Sequence, residues 1–183
     1  MRPSGWANTS APYIRPRREG EPDAWTEEAA QRGHVGTNEL REVSEIPAPA
    51  DIARDLNIES DGRVVVRRRM VLLDGAPIEL ADSYYPAFIA RGTPLAHSSK
   101  IRGGAVRLLA ELGYNAHKVQ ETVSARPNTA IERNLLHLDA NDWVLMLRRV
   151  TFDNVGTPFE CTVMTMIASG RELRYEHEED RTW

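Results

Sequence analysis

The stretch Arg63–Pro86, RVVVRRRMVLLDGAPIELADSYYP, constrains this chain more than any other. Val64, Val65, Val66, Met70, Val71 and Leu72 bring the β-branched and apolar density of a strand. Asp74-Gly75 supplies the chemistry of a tight hairpin turn, and Ile78, Leu80 and Ser83-Tyr84 continue into a second strand. Arg67, Arg68 and Arg69 are the unusual insertion. Strand side chains alternate between faces, so Arg67 and Arg69 share one face and Arg68 takes the other. One face of the hairpin therefore buries apolar groups with fixed positive charge beside them.

The 183 residues fit one domain with an appendage or two very small domains. An apolar fraction of 41% supports an ordinary core, and a net charge of −4 argues against a whole-chain nucleic-acid clamp. The single Cys161 excludes an intramolecular disulfide and any multi-cysteine metal site. No apolar run reaches bilayer length, and Met1-Arg2-Pro3 does not begin a signal peptide. A cytoplasmic protein without a membrane partner is the expectation. The five histidines have no metal spacing, and no cofactor motif stands out.

Residues 1–36 differ from the remainder, with four prolines and little periodicity. They read as an extended arm or linker with one short helix near Ala24–Gln31. Trp6, Tyr13 and Trp25 are spaced to pack on a neighbouring surface, in the same domain or a second subunit. Arg15, Arg17 and Arg18 form a basic cluster followed at once by acids, the pattern of a solvated arm.

Beyond Thr37 the chain is regular. Asn38–Ile46 alternates as an edge strand, and Pro49-Ala50-Asp51 opens a helix to about Leu56. Pro86–Arg91 is a helical turn. Gly103–Leu112 carries the stripe Val106, Leu108, Leu109, Leu112 and stops at Gly113. His117–Arg126 is a strand, and Asn128–Leu136 a helix capped by Asn128 or Thr129, with Glu132 in its early turns. Trp143–Phe152 and Pro158–Ala168 form a second hairpin, and Arg171–Glu176 a closing strand. Hairpins separated by short helices predict an α+β domain with a mostly antiparallel sheet. Inspection finds no internal repeat. The first 36 residues do not supply the three helices of a winged DNA-reading unit.

Taken together, these stretches resemble the UTRA domain, the ligand-sensing half of HutC-subfamily GntR-type bacterial transcription regulators. The resemblance runs from Thr37 to Tyr175. Its marks are the arginine-bearing strand with Asp74-Gly75-x-Pro77, then Ser83-Tyr84-Tyr85-Pro86 and the leucine-rich helix ending in Gly113. Glu121-x-x-x-Ala125-Arg126 follows, and then Leu147-x-Arg149 before the Asp153…Gly156-x-Pro158-x-Glu160 hairpin. It implies a chorismate-lyase-like fold with a small-molecule site between sheet and helices. It divides the chain into an arm (1–36), a ligand-binding domain (37–177) and a polar tail (178–183). It further implies a homodimer paired through sheet edges, and no direct nucleic-acid binding by this chain alone. The chain reads as a stand-alone sensor or a fragment of a longer regulator. Members that sense phosphosugars carry an arginine where this chain has Val71 and a glutamate where it has Ala81, so that ligand class is not carried over.

Several residues are candidates for the site. Arg69 suits a carboxylate or phosphate of a small anionic effector; the alternative is a cross-strand ion pair to Glu79 or Asp82. Lys100, Arg102, Gly103 and Gly104 lead into the strongest helix and make an anion-binding corner, or else a flexible loop that starts the helix. The resemblance places Glu160 at the effector pocket, accepting from ligand hydroxyls or holding Arg69. Thr165 and Met166 are candidate walls on the same strand, although Met164 and Met166 point alike, as core residues do. Glu121 and Arg126 read as structural, and His97 as a solvated loop residue. No nucleophile-and-base constellation stands out. An enzyme reading, elimination on a small carboxylated substrate with Arg69 and Glu160, rests on fold resemblance alone, and a ligand-free dimerisation partner of full-length regulators is the other alternative.

Overall fold

The computed structural model describes residues 6–8, 11–16 and 20–175. Two short elements, β1 (Trp6–Asn8) and α1 (Ala11–Ile14), lead into α2 (Ala24–Gln31). A βαββ unit follows: β2 (Gly36–Pro47), α3 (Ala50–Asp55), β3 (Arg63–Leu73) and β4 (Ala76–Pro86). After α4 (Ala87–Ala90), a 3-10 turn at Pro94–Ala96 and α5 (Gly104–Glu111), a second unit runs through β5 (Lys118–Pro127), α6 (Ala130–Leu136), β6 (Trp143–Phe152) and β7 (Pro158–Ile167). The strand β8 (Arg171–Leu173) pairs in parallel with β1. The six long strands form one antiparallel sheet, ordered β2-β3-β4-β7-β6-β5. This is the α+β architecture expected. Asp74 and Gly75 both take positive φ, 51° and 79°, the geometry of a two-residue hairpin turn whose twist matches its strands.

The absence of a repeat is corrected by the structure. The two βαββ units are copies, and the sheet order is symmetric about the β4–β7 seam. Pro47 and Pro127, Leu56 and Leu136, Val64 and Val144, Arg68 and Arg148, and Arg69 and Arg149 are each separated by 80 residues. Past the hairpin turns the spacing is 81, as in Gly75 and Gly156, Pro77 and Pro158, and Glu79 and Glu160. Asn57 and His137, also 80 apart, both have positive φ, 51° and 52°, just after their helices. Side-chain identity has drifted so far that backbone geometry shows the repeat better than the letters do.

Helices α3 and α6 cover one face of the sheet. Ile52, Ala53 and Leu56 pack on Val64, Val66, Tyr84, Val150 and Cys161, while Leu136 and Leu138 pack on Val144. The other face, which carries Arg67, Arg69 and Arg149, is covered by two separate apolar clusters. One joins α2 to Val71, Leu73, Ala81, Leu147, Met164 and Met166. The second joins α4, the 3-10 turn and α5 to Val65, Tyr85 and Phe159. The segment expected to be an extended arm thus contributes Trp25 to the core, 4% exposed, with Nε1 donating to the Leu72 carbonyl at 2.9 Å. A Cβ at Gly36 would stand 2.7 Å from both Trp25 Nε1 and Ala29 Cβ, so close approach demands glycine there. The expected basic cluster lies outside the described residues at Arg17 and Arg18, as does the polar tail 178–183.

Candidate functional site

Strand alternation and antiparallel register place a polar row across the sheet between the two apolar clusters. Val43, Arg67, Ser83, Thr162, Arg149 and Glu121 stand side by side on β2, β3, β4, β7, β6 and β5. The adjacent row of the same face reads Leu40, Arg69, Ala81, Met164, Leu147 and Val123. The three arginines of the face have different fates. Arg67, 5% exposed, donates to the carbonyls of Pro94, Leu95 and His97 through Nη1 and of Ser99 through Nη2, at 2.8–3.3 Å. Burial pushes its pKa down, but an arginine so placed stays cationic and clamps the 94–99 loop to the sheet. Arg149 Nε donates to Glu121 Oε1 at 2.7 Å, both side chains about nine-tenths buried. Arg69 donates through Nη2 to Ser83 Oγ at 3.0 Å, and its buried Nε has no partner.

Among the described residues, no carboxylate lies within ion-pair distance of Arg69. Asp82 instead joins Glu42 in pairing Arg68 on the opposite face, at 3.3 and 2.9 Å. Glu79 is 3.8 Å from Arg171, and burial raises its pKa even though Arg171, Arg69 and Arg149 pull the other way. Neither cross-strand alternative for Arg69 is formed. Ser83 Oγ continues to Thr162 Oγ1 at 2.9 Å, so a relay of hydroxyls connects Arg69 to the polar row. On the far face, Arg148 pairs with Asp51 and with Asp55, the latter at 2.7 Å.

Glu160 faces the arginine side. Its Oε1 accepts from Tyr85 Oη at 2.8 Å, and burial holds the Tyr85 phenol well above its ordinary pKa, so the phenol remains the donor. Glu160 does not hold Arg69. Lys100 and Arg102 are exposed, directly after the loop that Arg67 clamps. Gly103 and Gly104 take φ of 78° and 84° and turn the chain into α5. The pairing of Thr165 and Met166 as cavity walls needs correction, because neighbours on a strand face opposite ways. Thr165 stands between Leu80 and Met146 on the face away from Arg69, and Met166, 1% exposed, is core. Arg126 and Glu121 are structural: Arg126 forks onto Glu132 at 2.6 and 2.8 Å, and Glu121 neutralises Arg149.

Sequence reasoning missed Arg67 as a loop clamp, and Ser83, Tyr85 and Thr162 as site polar groups. Alternation from Arg69 would have found Arg67, but its carbonyl partners are about 30 positions away and carry no letter-level signal. Beside Glu160, between α5 and the ends of β6 and β7, lies a crevice whose described lining includes Ile14, Pro16, Leu109, Tyr114, Thr151, Phe159 and Glu160. Its space is about 10 Å³, roughly one water molecule's worth. Among the described residues no cluster of His, Cys, Asp and Glu is placed to hold a metal ion, and no helix is long and apolar enough to cross a membrane.

Known proteins agree with this architecture. An HTH-type transcriptional regulator of Streptomyces coelicolor, itself uncharacterized, is 30% identical over 138 residues, which is 74% of this chain and 51% of that protein. The chain thus spans about half of that regulator's length. The crystal structure of a GntR-family transcriptional regulator superposes with a TM-score of 0.81 at 23% identity, over 98% of this chain and 72% of that one. The effector domain of PhnF from Mycobacterium smegmatis gives 0.73 at 20% identity, over 85% and 95%. The model of the UTRA domain family matches residues 31–169, and with the symmetric six-stranded sheet and the arginine-bearing strand this makes the chain a member of the UTRA domain family.

Proposed function

We propose that this UTRA domain is the effector-sensing module of a GntR-type transcription regulator of the HutC subfamily, acting in the cytoplasm on a small anionic solute. One observation carries the reading: Arg69 is the arginine of its face whose donors are not used up. Arg67 is consumed by four carbonyls and Arg149 by Glu121, whereas Arg69 keeps a buried Nε–H without an acceptor. A buried unpaired donor costs about 1–3 kcal/mol, and a carboxylate or phosphate oxygen relieves that cost with a charge-assisted bond. Lys100 and Arg102, exposed directly after the clamped loop, add positive charge beside it.

The role is binding rather than turnover. The one thiol, Cys161, is buried on the opposite face with its pKa pushed up to about 12 by desolvation, so it is no nucleophile. Two copies pair through β5, an edge strand largely exposed and carrying Val123 at 43% exposure. Light scattering tests the dimer, and a monomer at micromolar concentration overturns it. The chain alone makes no sequence-specific DNA complex, which a gel shift tests.

A library of carboxylated and phosphorylated metabolites, screened by melting shift, identifies the effector class. A true effector stabilises the protein by about 2.7 kcal/mol at a hundredfold excess over its Kd. Arg69→Ala should retain the fold and lose most of that stabilisation. An undiminished response in the variant removes Arg69 from the site.

A further inference from the structure

Glu79 is a carboxylate set into an apolar floor. It stands on β4 between Val71 of β3 and Met166 of β7 and is 8% exposed. Val71 and Met166 belong to the cluster to which α2 contributes Trp25 and Ala29, so α2 lies over the same ground. The counterpart of Glu79 in the second unit, Glu160, accepts a hydrogen bond from Tyr85 at 2.8 Å. Glu79 instead has the Arg171 Nη2 at 3.8 Å, too far for a hydrogen bond, although the Arg171 side chain is itself buried.

Charge reaches Glu79 from each element around it. Burial opposes its ionised form most strongly, and Glu28 on α2 adds to that opposition. Arg171 on β8, Arg69 on β3 and Arg149 on β6 favour ionisation without overcoming burial. Glu28 is fixed in place: it accepts from the Tyr13 hydroxyl of α1 and meets Arg32 at 3.5 Å. Burial, with Glu28 and Glu79 nearby, holds the Tyr13 phenol far above its ordinary pKa, so it remains a neutral donor. An ionised Glu79 therefore faces a second carboxylate carried by the helix that covers it. The remaining ties of α2 do not involve this charge. Trp25 Nε1 donates to the Leu72 carbonyl at 2.9 Å, and just past the helix His34 Nδ1 meets Asp74 at 2.7 Å.

We propose that Glu79 is a proton-operated latch for α2: a neutral Glu79 lets α2 close over the sheet, and an ionised Glu79 loosens α2 together with the Tyr13 bonded to it. With α2 closed, the Glu79 carboxyl binds its proton at a higher pH than it would in water. Closure is therefore favoured fully below the ordinary value of 4.5, and that advantage is lost as pH rises through the closed-state value. No effector takes part in the response, so it stands or falls separately from the anion reading at Arg69.

The test follows hydrogen exchange of the Trp25 indole N–H and the α2 amides in the 15N-labelled full chain, from about pH 8 to about pH 4.5, each rate taken relative to its intrinsic value at that pH. The indole hydrogen is bonded to Leu72, so it exchanges when α2 lifts. Protection should rise as pH falls, about tenfold for each pH unit between the closed and open titrations of Glu79, while β6 changes little. Glu79→Gln keeps the shape without the charge and should show the acid level of protection at every pH. Arg171→Met removes a cation that favours the ionised form and should move the midpoint to higher pH. His34→Gln should leave the response as it is. Flat protection in the unsubstituted protein, a pH profile retained in Glu79→Gln, or a response abolished by His34→Gln overturns the latch. The Glu79 side-chain carboxyl carbon, followed by NMR in the unsubstituted protein, tests it without any variant: titration at or below 4.5 also overturns it.

Discussion

The two βαββ units of this sheet share a backbone and differ in how they treat equivalent side chains. In the second unit Arg149 meets Glu121 squarely, because β5 and β6 pair without interruption. In the first, the position 80 residues before Glu121 is Arg41, and a β-bulge between Leu40 and Glu42 takes it out of register, leaving Leu40 opposite Arg69. At the seam, Ser83 and Thr162 face one another on one side of the pseudo-twofold, and their counterparts Met164 and Ala81 face one another on the other. Arg67 corresponds to Leu147, and Tyr85 to Met166. One end of the shared face has thus become polar and the other hydrocarbon. A duplicated scaffold supplies two equivalent positions for each group; the difference between them shows that Arg149 is spent on a buried ion pair while Arg69 keeps a donor without an acceptor.

The largest effect expected from breaking this asymmetry is at Arg149. Arg149→Met leaves Glu121 in a buried setting without its main cation, and unfolding by urea should show a loss of about 3 kcal/mol. The counterpart Arg69→Met should cost under about 1 kcal/mol, because no carboxylate is left behind. Equal losses would end the distinction between a committed and a spare arginine.

Exchanging Arg67 for its counterpart sharpens the comparison next. Arg67→Leu should cost about 2 kcal/mol, since the carbonyls of Leu95, His97 and Ser99 lose their donor. Hydrogen exchange should quicken across residues 94–99 and stay unchanged in the second unit. Uniform quickening would mean that the arginine serves the whole core rather than the loop.

The smallest effect separates the two helices. In α6, Thr129 and Glu132 form a reciprocal cap, and Arg126, by hydrogen-bonding Glu132, holds that carboxyl down at about 2. In α3 the equivalent positions are Pro49 and Ile52, with no side-chain cap. A depressed carboxyl contributes stability above its unfolded pKa, near 4.5, and loses it as pH falls through the folded value. Glu132→Gln should therefore cost about 1 kcal/mol at pH 7, a cost that shrinks as pH falls below about 4.5 and vanishes only below about 2. A cost as large at pH 2 as at pH 7 would assign Glu132 a packing role instead.

Much of the fold was legible because its signals are local. Asp74-Gly75 between apolar alternations specifies a hairpin, Thr129 with Glu132 specifies a helix start, and the alternation of Arg67, Arg68 and Arg69 assigns faces without any knowledge of partners. The site was legible only in part. Arg69 and Glu160 lie on one face of the sheet, whereas Thr165, read as a wall beside them, lies on the other, and Met166, read as a wall or as core, is core. Trp25 was read as packing on its own domain or on a second subunit, and it packs on its own domain; the letters could not choose, because its partner carbonyl at Leu72 is 47 positions away.

The amino-acid sequence by itself determined the strand and turn periodicity, the faces of the arginines and the family, all consequences of interactions among near neighbours. Only the tertiary structure decided which arginine is spent and which is spare, and that Thr151 and Glu160 share a crevice. Those outcomes depend on a bulge, on a loop folding over Arg67 and on two copies of one unit meeting at a seam. Such long-range contacts leave no local pattern, because their energy comes from burial and pairing that exist only once the sheet has closed.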